Sequence, residues 1–201
     1  MMECTKPGTA EYTELKSHFI AYCHGVSNSS SFQAYLNQLR SQHPEASHFI
    51  YAYRLSYSQQ LYEKFSDDGE PYGTAGLPLL SLLQKKSIIN TALYVVRFYG
   101  GIKLGKNGLF SAYLNTAISA VADASFKEIR NGYLLTMSFA YSVFSLLEKW
   151  LHDHDTQILE RDFAEDVTIK LWIEEKAYCN FLDSEFKSVC TVTGMEKMNM
   201  L

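Results

Sequence analysis

The sequence predicts an α+β protein of two domains, with the boundary after residue 130. Its length of 201 residues suits two small domains. Segments with the two-residue alternation of strands are interspersed with segments that repeat at helical spacing. Charge also divides the chain, because residues 1–130 hold 12 Lys and Arg against 10 Asp and Glu, whereas residues 131–201 hold 6 against 12. The first domain is therefore weakly basic and the second is strongly acidic.

In the first domain, aromatic and β-favouring segments predict three strands, and leucine-rich or amphipathic segments predict three helices. The strands are placed at residues 17–27, 48–57 and 88–99, and the helices at residues 32–43, 77–86 and 109–124. Asn28 to Ser31 offer N-caps for the first helix, and Thr74 is expected to cap the second.

In the second domain, the pattern predicts the element order β-α-β-β-α-β, which is the ferredoxin-like arrangement. The strands are placed at residues 133–139, 158–163, 167–173 and 189–193, and the helices at residues 143–151 and 178–186. In the third strand, Trp172 alternates with the apolar residues and is assigned, together with Thr168 and Lys170, to a face in contact with water.

Composition excludes several classes of protein. No window of 18 apolar residues is present, which argues against a membrane span, and the polar N-terminus has no apolar segment of a signal peptide. The four cysteines are scattered without a CxxC motif, which argues against a zinc site or a disulfide framework. We expect a cytoplasmic protein with reduced thiols and with no metal, cofactor or membrane partner.

The segment RFYGGIKLGKNGL, residues 97–109, leads from a buried strand through glycines and two lysines into a helix. Glycines allow backbone N–H groups to point inward, and a helix N-terminus carries partial positive charge. With Arg97, Lys103 and Lys106 nearby, the segment could hold a phosphate. The spacing matches neither GxGxxG nor GxxxxGK[ST], so the local residues alone favour a tight turn with solvated lysines.

The segment SDDGEPYGTAG, residues 66–76, combines three acids with three glycines and a proline. Asp67, Asp68 and Glu70 could coordinate a divalent cation through oxygen ligands or act as a catalytic pair. Their spacing does not match the D-x-[DN]-x-[DN]-G calcium loop. The local residues alone favour a turn that precedes a helix.

Three tyrosines offer another possible surface. Tyr51, Tyr53 and Tyr57 alternate on one face of the second strand and could stack nucleobases. Aromatic side chains at this spacing are more often used in packing within the protein.

Three segments together resemble the Impact/YigZ family. They are HFIYAYR (residues 48–54), SDDGEPYGTAG (residues 66–76) and VVRFYGGIKLGKNGL (residues 95–109), in that order and spacing. The resemblance covers roughly residues 10 to 201. The chain departs from the common pattern at Leu77, where a basic residue is frequent, at Lys106-Asn107-Gly108 in place of a small-Gly-Gly run, and at Ile50 in place of a cysteine.

The resemblance implies a first domain similar to the second domain of ribosomal protein S5, and a second domain similar to the last domain of the translocating elongation factor. It also implies an association with translation or its control. For bacterial members of the family, binding to RNA or to the ribosome is the usual inference, and no established reaction comes with the name. The resemblance makes both glycine-rich segments look like a shared family surface.

We therefore expect a non-enzymatic protein that binds structured RNA or a ribosomal surface, with no catalytic residue. Lys103, Lys106 and backbone N–H groups of the turn would contact phosphates, and Asp67, Asp68 and Glu70 would either hold hydrated magnesium or, as we prefer, pair with Arg97. The acidic second domain would contact a protein or act as a spacer. The alternatives are a divalent-metal-dependent phosphoester or small-molecule enzyme and a pure protein-interaction module. The remaining residues of the predicted binding turn are Gly100, Gly101, Gly105, Asn107 and Gly108.

Overall fold

The computed structural model of the protein describes residues 1–57 and 60–200, with the side chains of residues 199 and 200 left aside. It forms two compact units, Met1–Glu128 (unit 1) and Ile129–Leu201 (unit 2). The boundary predicted from the sequence lies after residue 130, and the structural division lies after Glu128. No described helix has both the length and the apolar character needed to cross a membrane.

Unit 1 contains a five-stranded antiparallel sheet and a smaller three-stranded sheet. Its elements are β1 Met2–Lys6, β2 Gly8–Glu14, β3 Ser17–Gly25, α1 Ser29–Gln42, β4 His48–Tyr57, β5 Gln60–Ser66, α2 Gly76–Lys85, β6 Ile88–Ile89, β7 Thr91–Phe98, α3 Gly105–Asp123 and β8 Ser125–Glu128. The large sheet has the order β2-β3-β7-β4-β5, and the small sheet has the order β6-β1-β8.

Two cores lie on opposite faces of the large sheet. Alternate residues of β7 point to opposite sides, so Leu93 and Val95 pack with α2 and α3, whereas Tyr94 packs with α1. Leu36 and Leu39 of α1 are buried in the second of these cores. The large sheet is thus covered by helices on both faces, which explains why its central strand is apolar along nearly its whole length.

The three strands and three helices predicted for this unit are present, and four strands were missed. The missed strands β1, β2, β5 and β8 are short or mostly exposed, and none has a regular apolar alternation. Strands β1 and β8 pair with each other across the length of unit 1, so a local pattern does not predict them. Strands β2 and β5 are hairpin partners of β3 and β4 at the edges of the large sheet, and their mostly exposed side chains leave no apolar alternation to detect.

Some predicted boundaries were wrong for identifiable reasons. The predicted strand 88–99 is interrupted at Asn90, whose positive φ of 49° turns the chain and whose side-chain oxygen accepts the Ser56 N–H at 2.9 Å. Thr74 does not cap α2, because its hydroxyl donates to the Pro71 carbonyl at 2.7 Å. Helix α3 begins at Gly105, before the predicted start at residue 109.

Unit 2 has the predicted order of strands and helices, except that two helices stand where the second helix was predicted. Its elements are β9 Arg130–Phe139, α4 Tyr141–Asp153, β10 Gln157–Phe163, β11 Val167–Glu174, α5 Glu175–Leu182, α6 Phe186–Val189 and β12 Thr191–Met200. The sheet has the order β10-β11-β9-β12, and every neighbouring pair is antiparallel. Its core joins strand residues such as Leu135 and Ile169 to Leu147 and Phe181 of the helices.

Three details of unit 2 differ from expectation. The predicted helix 178–186 is divided between α5 and α6, and β12 continues well beyond residue 193. Trp172 is 1% exposed, so its assignment to a wet face was wrong. The guanidinium carbon of Arg130 lies 5.3 Å from the ring centroid of Trp172, and the indole N–H of Trp172 donates to the Met198 carbonyl at 3.1 Å. Strand β12, which the sequence pattern ended too early, supplies that carbonyl.

Candidate nucleic-acid interface

The candidate site lies at one end of the large sheet of unit 1, where three strands place polar side chains side by side. Arg97 near the end of β7 is paired in register with Phe19 of β3 on one side and with His48 of β4 on the other. Ser17 precedes Phe19 by two residues and therefore projects to the same face. This register, and not proximity in sequence, assembles the floor of the site.

Arg97 is the central residue of this floor and is only 4% exposed. Its Nη1 donates to Oε1 of Glu70 from the 66–76 loop, and its Nη2 donates to Oγ of Ser17 at 3.2 Å. The guanidinium carbon lies 5.4 Å from the ring centroid of Phe19 and 5.3 Å from that of Tyr99. Among the buried side-chain nitrogen and oxygen atoms of the described residues, Nε of Arg97 is the one without a hydrogen-bond partner.

Glu70 is held by two further side chains. The hydroxyl of Tyr113, on α3, donates to Oε1 of Glu70 at 2.7 Å. Burial, followed by the charge of Glu70, raises the pKa of Tyr113, so this hydroxyl stays protonated and remains a donor. Nδ1 of His48 lies 2.8 Å from the Asp68 carbonyl and must carry a proton there, because a carbonyl only accepts; its Nε2 lies 3.8 Å from Glu70.

The acids of the 66–76 loop make the contacts of loop-shaping residues. Asp67 accepts three backbone N–H groups, from Gly73 at 2.9 Å, Ala75 at 3.0 Å and Gly76 at 2.8 Å. The Asp68 carboxylate accepts the Phe49 N–H at 2.7 Å. Of the two roles predicted for these acids, their hydrogen bonds therefore favour the structural one.

No group of three or more His, Cys, Asp or Glu side chains positioned to hold a metal occurs within residues 1–57 and 60–200.

The glycines of the turn between β7 and α3 are needed for two different reasons, close packing at one position and a positive φ at two others. A Cβ on Gly100 would overlap the backbone of Lys16, and the Gly100 N–H already donates to Ser17 Oγ at 3.2 Å. Gly101 and Gly105 have φ values of +84° and +70°, with no atom within 4 Å of a Cβ built on either. The open side of the turn is therefore the side of Gly101 and Gly105.

Helix α3 starts without a side-chain cap from its N-cap residue and without an acid in its first turn, as α2 and α4 also do, but it carries a lysine in that turn. Its N-cap position is Leu104, which makes no side-chain cap, and its first turn contains no acid. Lys106 is instead the second residue of the helix, where its charge adds to the positive end of the helix dipole. Asn107 follows in the same turn, and Gly108 is the fourth residue, where the intrahelical hydrogen bonds begin. The free N–H groups and the lysine together favour an anion.

The 66–76 loop and the glycine-rich turn between β7 and α3 meet at a groove with a volume of about 490 Å³. The structure thus brings Arg97, Glu70, Lys103, Gly105 and Lys106 of the predicted site together. Asp67, Asp68, Gly100, Gly101, Asn107 and Gly108 are not among the lining residues. The lining residues are His48, Glu70, Pro71, Arg97, Tyr99, Lys103, Leu104, Gly105, Lys106 and Leu109.

Three residues of this site, His48, Tyr99 and Tyr113, were not predicted from the sequence. The alternation of β4 could have placed His48 on the same face as Ile50, but only the strand register brings it beside Arg97. Of the three tyrosines considered as stacking residues, Tyr51 and Tyr53 pack on Phe32 with ring centroids 5.0 and 4.6 Å away. Tyr57 is 69% exposed and does not line this groove.

Comparison with known proteins identifies sequence relatives. The model of the Impact N-terminal domain family matches residues 15–121. The chain is 31% identical over 169 residues to the IMPACT family member YvyE of Bacillus subtilis, an alignment that covers 84% of this chain and 77% of the relative. It is 32% identical over 159 residues to the IMPACT family member YigZ of Escherichia coli, covering 78% and 77%.

A similar architecture occurs in the crystal structure of a hypothetical protein. The match has a TM-score of 0.60 and 26% sequence identity, and it covers 100% of this chain and 97% of the other.

Proposed function

The chain belongs to the Impact family, and from that premise we propose that it is a non-enzymatic RNA-binding protein that acts in translation or its control. In this proposal, phosphates of a structured RNA or of a ribosomal surface occupy the groove at the start of α3. The role in translation is the expectation that accompanies the family, and the groove supplies the chemistry that would contact RNA.

One observation carries the proposal. The start of α3 has no side-chain cap and no acid, it has Lys106 in its first turn, and it borders a groove lined by Arg97 and Lys103. Helix N–H groups and positive side chains favour an oxyanion, and phosphate contacts of this kind supply most of the affinity of proteins for nucleic acid.

The charges beside the groove support an anionic ligand even though Glu70 lines it. Glu70 is engaged by Arg97 and Tyr113, so its negative charge is compensated inside the protein. Lys103 and Lys106 add positive charge at the rim. The groove therefore offers more positive than negative charge to a ligand.

For unit 2 we propose a ferredoxin-like fold and a role outside RNA binding. The β-α-β-β-α-β order, with α5 and α6 together in the place of its second helix, and the antiparallel β10-β11-β9-β12 sheet support a ferredoxin-like assignment for unit 2. The likeness of unit 1 to the second domain of ribosomal protein S5 stays a prediction, as does a cytoplasmic location. We further propose that the acidic residues 131–201, which would repel RNA, contact a protein or act as a spacer.

The test reverses the charge at the groove. In a Lys103→Glu/Lys106→Glu variant, we expect weaker binding of a fluorescently labelled RNA hairpin with a single-stranded tail, because two attractive interactions with phosphates become repulsive. The slope of log affinity against log salt should fall in magnitude by roughly 0.7–0.9 for each phosphate that a lysine no longer neutralises. Fluorescence anisotropy over a series of salt concentrations measures both quantities.

The matched control is Lys85→Glu/Lys86→Glu, which makes the same charge change at the end of α2 and outside the lining of the groove. It should bind RNA almost as the unmodified protein does. Equal affinities in the groove variant and the unmodified protein, with circular dichroism showing an intact fold, would rule the proposed interface out.

A further inference from the structure

We propose that the groove receives an unpaired nucleotide, with its base stacked on Tyr99 and its phosphate at the start of α3. This inference rests on the proposed function and deepens it, because it names an unpaired nucleotide of the RNA as the group that enters the groove and assigns a recognition role to a residue outside the phosphate contacts. The ligand class follows from three features of the groove: an aromatic ring, its support, and the apolar wall beside it.

Tyr99 presents an aromatic surface at the groove. It lies directly after β7, lines the groove and is 46% exposed. Its backbone N–H donates to Oγ of Ser47 at 3.1 Å, which holds the chain at this point. An aromatic ring that is half accessible and fixed at its backbone can offer a stacking surface to a planar ligand.

The support of this ring continues into the protein. The Arg97 guanidinium carbon lies 5.3 Å from the ring centroid of Tyr99 and 5.4 Å from that of Phe19. Phe19 in turn packs edge-on against Tyr113, with 5.1 Å between the centroids. Because Arg97 is itself held by Glu70 and Ser17, the position of the Tyr99 ring is supported before any ligand binds.

The remaining lining explains why an unpaired nucleotide fits better than a duplex. Leu104 and Leu109 give the groove an apolar wall, whereas Lys103 and Lys106 give it positive charge. A volume of about 490 Å³ lies within the range of pockets for small ligands, so it can receive one flipped-out base with its phosphate. In a duplex the faces of the bases are already stacked on their neighbours, so only phosphates could reach this surface.

The experiment compares two RNA probes on one set of variants. The probes are a single-stranded RNA that carries 2-aminopurine, whose fluorescence falls when it stacks, and a blunt RNA duplex of the same sequence. The variants are Tyr99→Leu, which removes the aromatic ring, Tyr99→Phe, which keeps it, and Lys103→Glu/Lys106→Glu. Tyr141→Leu is the matched control, because Tyr141 is 51% exposed and lies on α4 of unit 2.

We expect Tyr99→Leu to bind the single strand roughly five-fold to more than one-hundred-fold more weakly, the range that corresponds to the loss of one base stack. The quenching of 2-aminopurine should disappear with it, whereas duplex binding should stay unchanged. Tyr99→Phe and Tyr141→Leu should behave as the unmodified protein does. The lysine variant should weaken binding of both probes.

Other outcomes separate the inference from the function on which it rests. Equal weakening of both probes in Tyr99→Leu, or no weakening while the lysine variant loses affinity, would overturn base stacking and leave phosphate binding standing. Weaker binding in Tyr99→Leu with an unaffected lysine variant would support stacking and overturn the phosphate contacts. If the unmodified protein captured neither probe, both proposals would fail.

Discussion

At the scale of single residues, the groove depends on one buried ion pair. The side chains of Arg97 and Glu70 are 5% and 6% exposed, and each is satisfied further by a hydroxyl, from Ser17 and Tyr113. Breaking a buried pair by removing one partner costs several kcal/mol, because it leaves an uncompensated charge. Substituting Arg97 or Glu70 would therefore destabilise the fold, whereas substituting a surface lysine would not. For this reason the lysines are the cleaner probes of binding.

Asp67 gives a stability prediction at the same scale. An Asp67→Ala variant should lose about 1–3 kcal/mol in its free energy of unfolding, because three backbone N–H groups, two of them at the start of α2, lose their acceptor. Urea denaturation followed by circular dichroism measures the loss. Asp162→Ala, an exposed carboxylate on β10, serves as the control and should change stability by less than about 0.5 kcal/mol. A loss in Asp67→Ala no larger than the control would contradict the role assigned to this side chain.

At the scale of elements, α3 combines two tasks that oppose each other. Its buried side packs on the sheet through residues such as Leu109 and Tyr113, whereas its first turn is exposed at the groove. A helix start optimised for stability would carry an acid or a cap, and this one carries Lys106 instead. The arrangement is the one expected where an anion, and not a side chain, completes the helix end.

A charge reversal at Lys106 tests this opposition. Lys106→Glu should raise the free energy of unfolding by about 0.3–1 kcal/mol at low salt, because a negative charge stabilises a helix N-terminus, and should weaken RNA binding at the same time. Lys127→Glu, at an exposed position on β8, is the control for the change in net charge. Urea denaturation and RNA titration of the same preparations provide the two measurements. A variant that is less stable than the control would show that the N-terminal charge does not act as described.

At the scale of the whole molecule, the chain holds two units with separate cores and opposite charge. Two cores lie on the two faces of the large sheet of unit 1, and a third core lies between the sheet and the helices of unit 2. Both tryptophans, Trp150 and Trp172, belong to unit 2. Tryptophan fluorescence therefore reports on unit 2, while circular dichroism reports on both units, so their unfolding can be distinguished.

Alkaline pH should weaken unit 1. Burial raises the pKa of Tyr94 and of Tyr113, so both stay protonated in the folded state when tyrosines of the unfolded chain lose their protons above pH about 10. The folded state then binds more protons than the unfolded state, and the free energy of unfolding falls as the pH rises above about 10, by up to about 1.4 kcal/mol per pH unit for each tyrosine.

Urea denaturation between pH 8 and pH 11, followed by circular dichroism, checks this decrease. Tyr113→Phe should be less stable at pH 8, since it loses the hydrogen bond to Glu70, but its stability should fall less steeply with pH. An equal slope in the variant and the unmodified protein would contradict the assignment to Tyr113.

Strong periodic segments could be predicted from the sequence, because their pattern is local. Strand β4 runs from His48 to Tyr57 as predicted, and α1 ends just before His43. Strand β5 could not be predicted, because it is an exposed edge strand held by hydrogen bonds to β4. Trp172 was misplaced because the sequence pattern ended β12 before Met198, whose carbonyl accepts the indole N–H.

For the candidate site, the sequence by itself determined the chemical inventory: a glycine-rich turn that leads into a helix, two lysines, an arginine and a loop of acids. Only the tertiary structure decided which of these act together. Glu70, and not Asp67 or Asp68, reaches Arg97 across 27 residues, and Tyr99, although it lies within the glycine-rich segment, is placed in the groove only by the tertiary structure. The physical reason is that turns depend on residues that are neighbours in the sequence. An ion pair between a strand and a distant loop depends on strand register, which is set by the packing of the whole sheet.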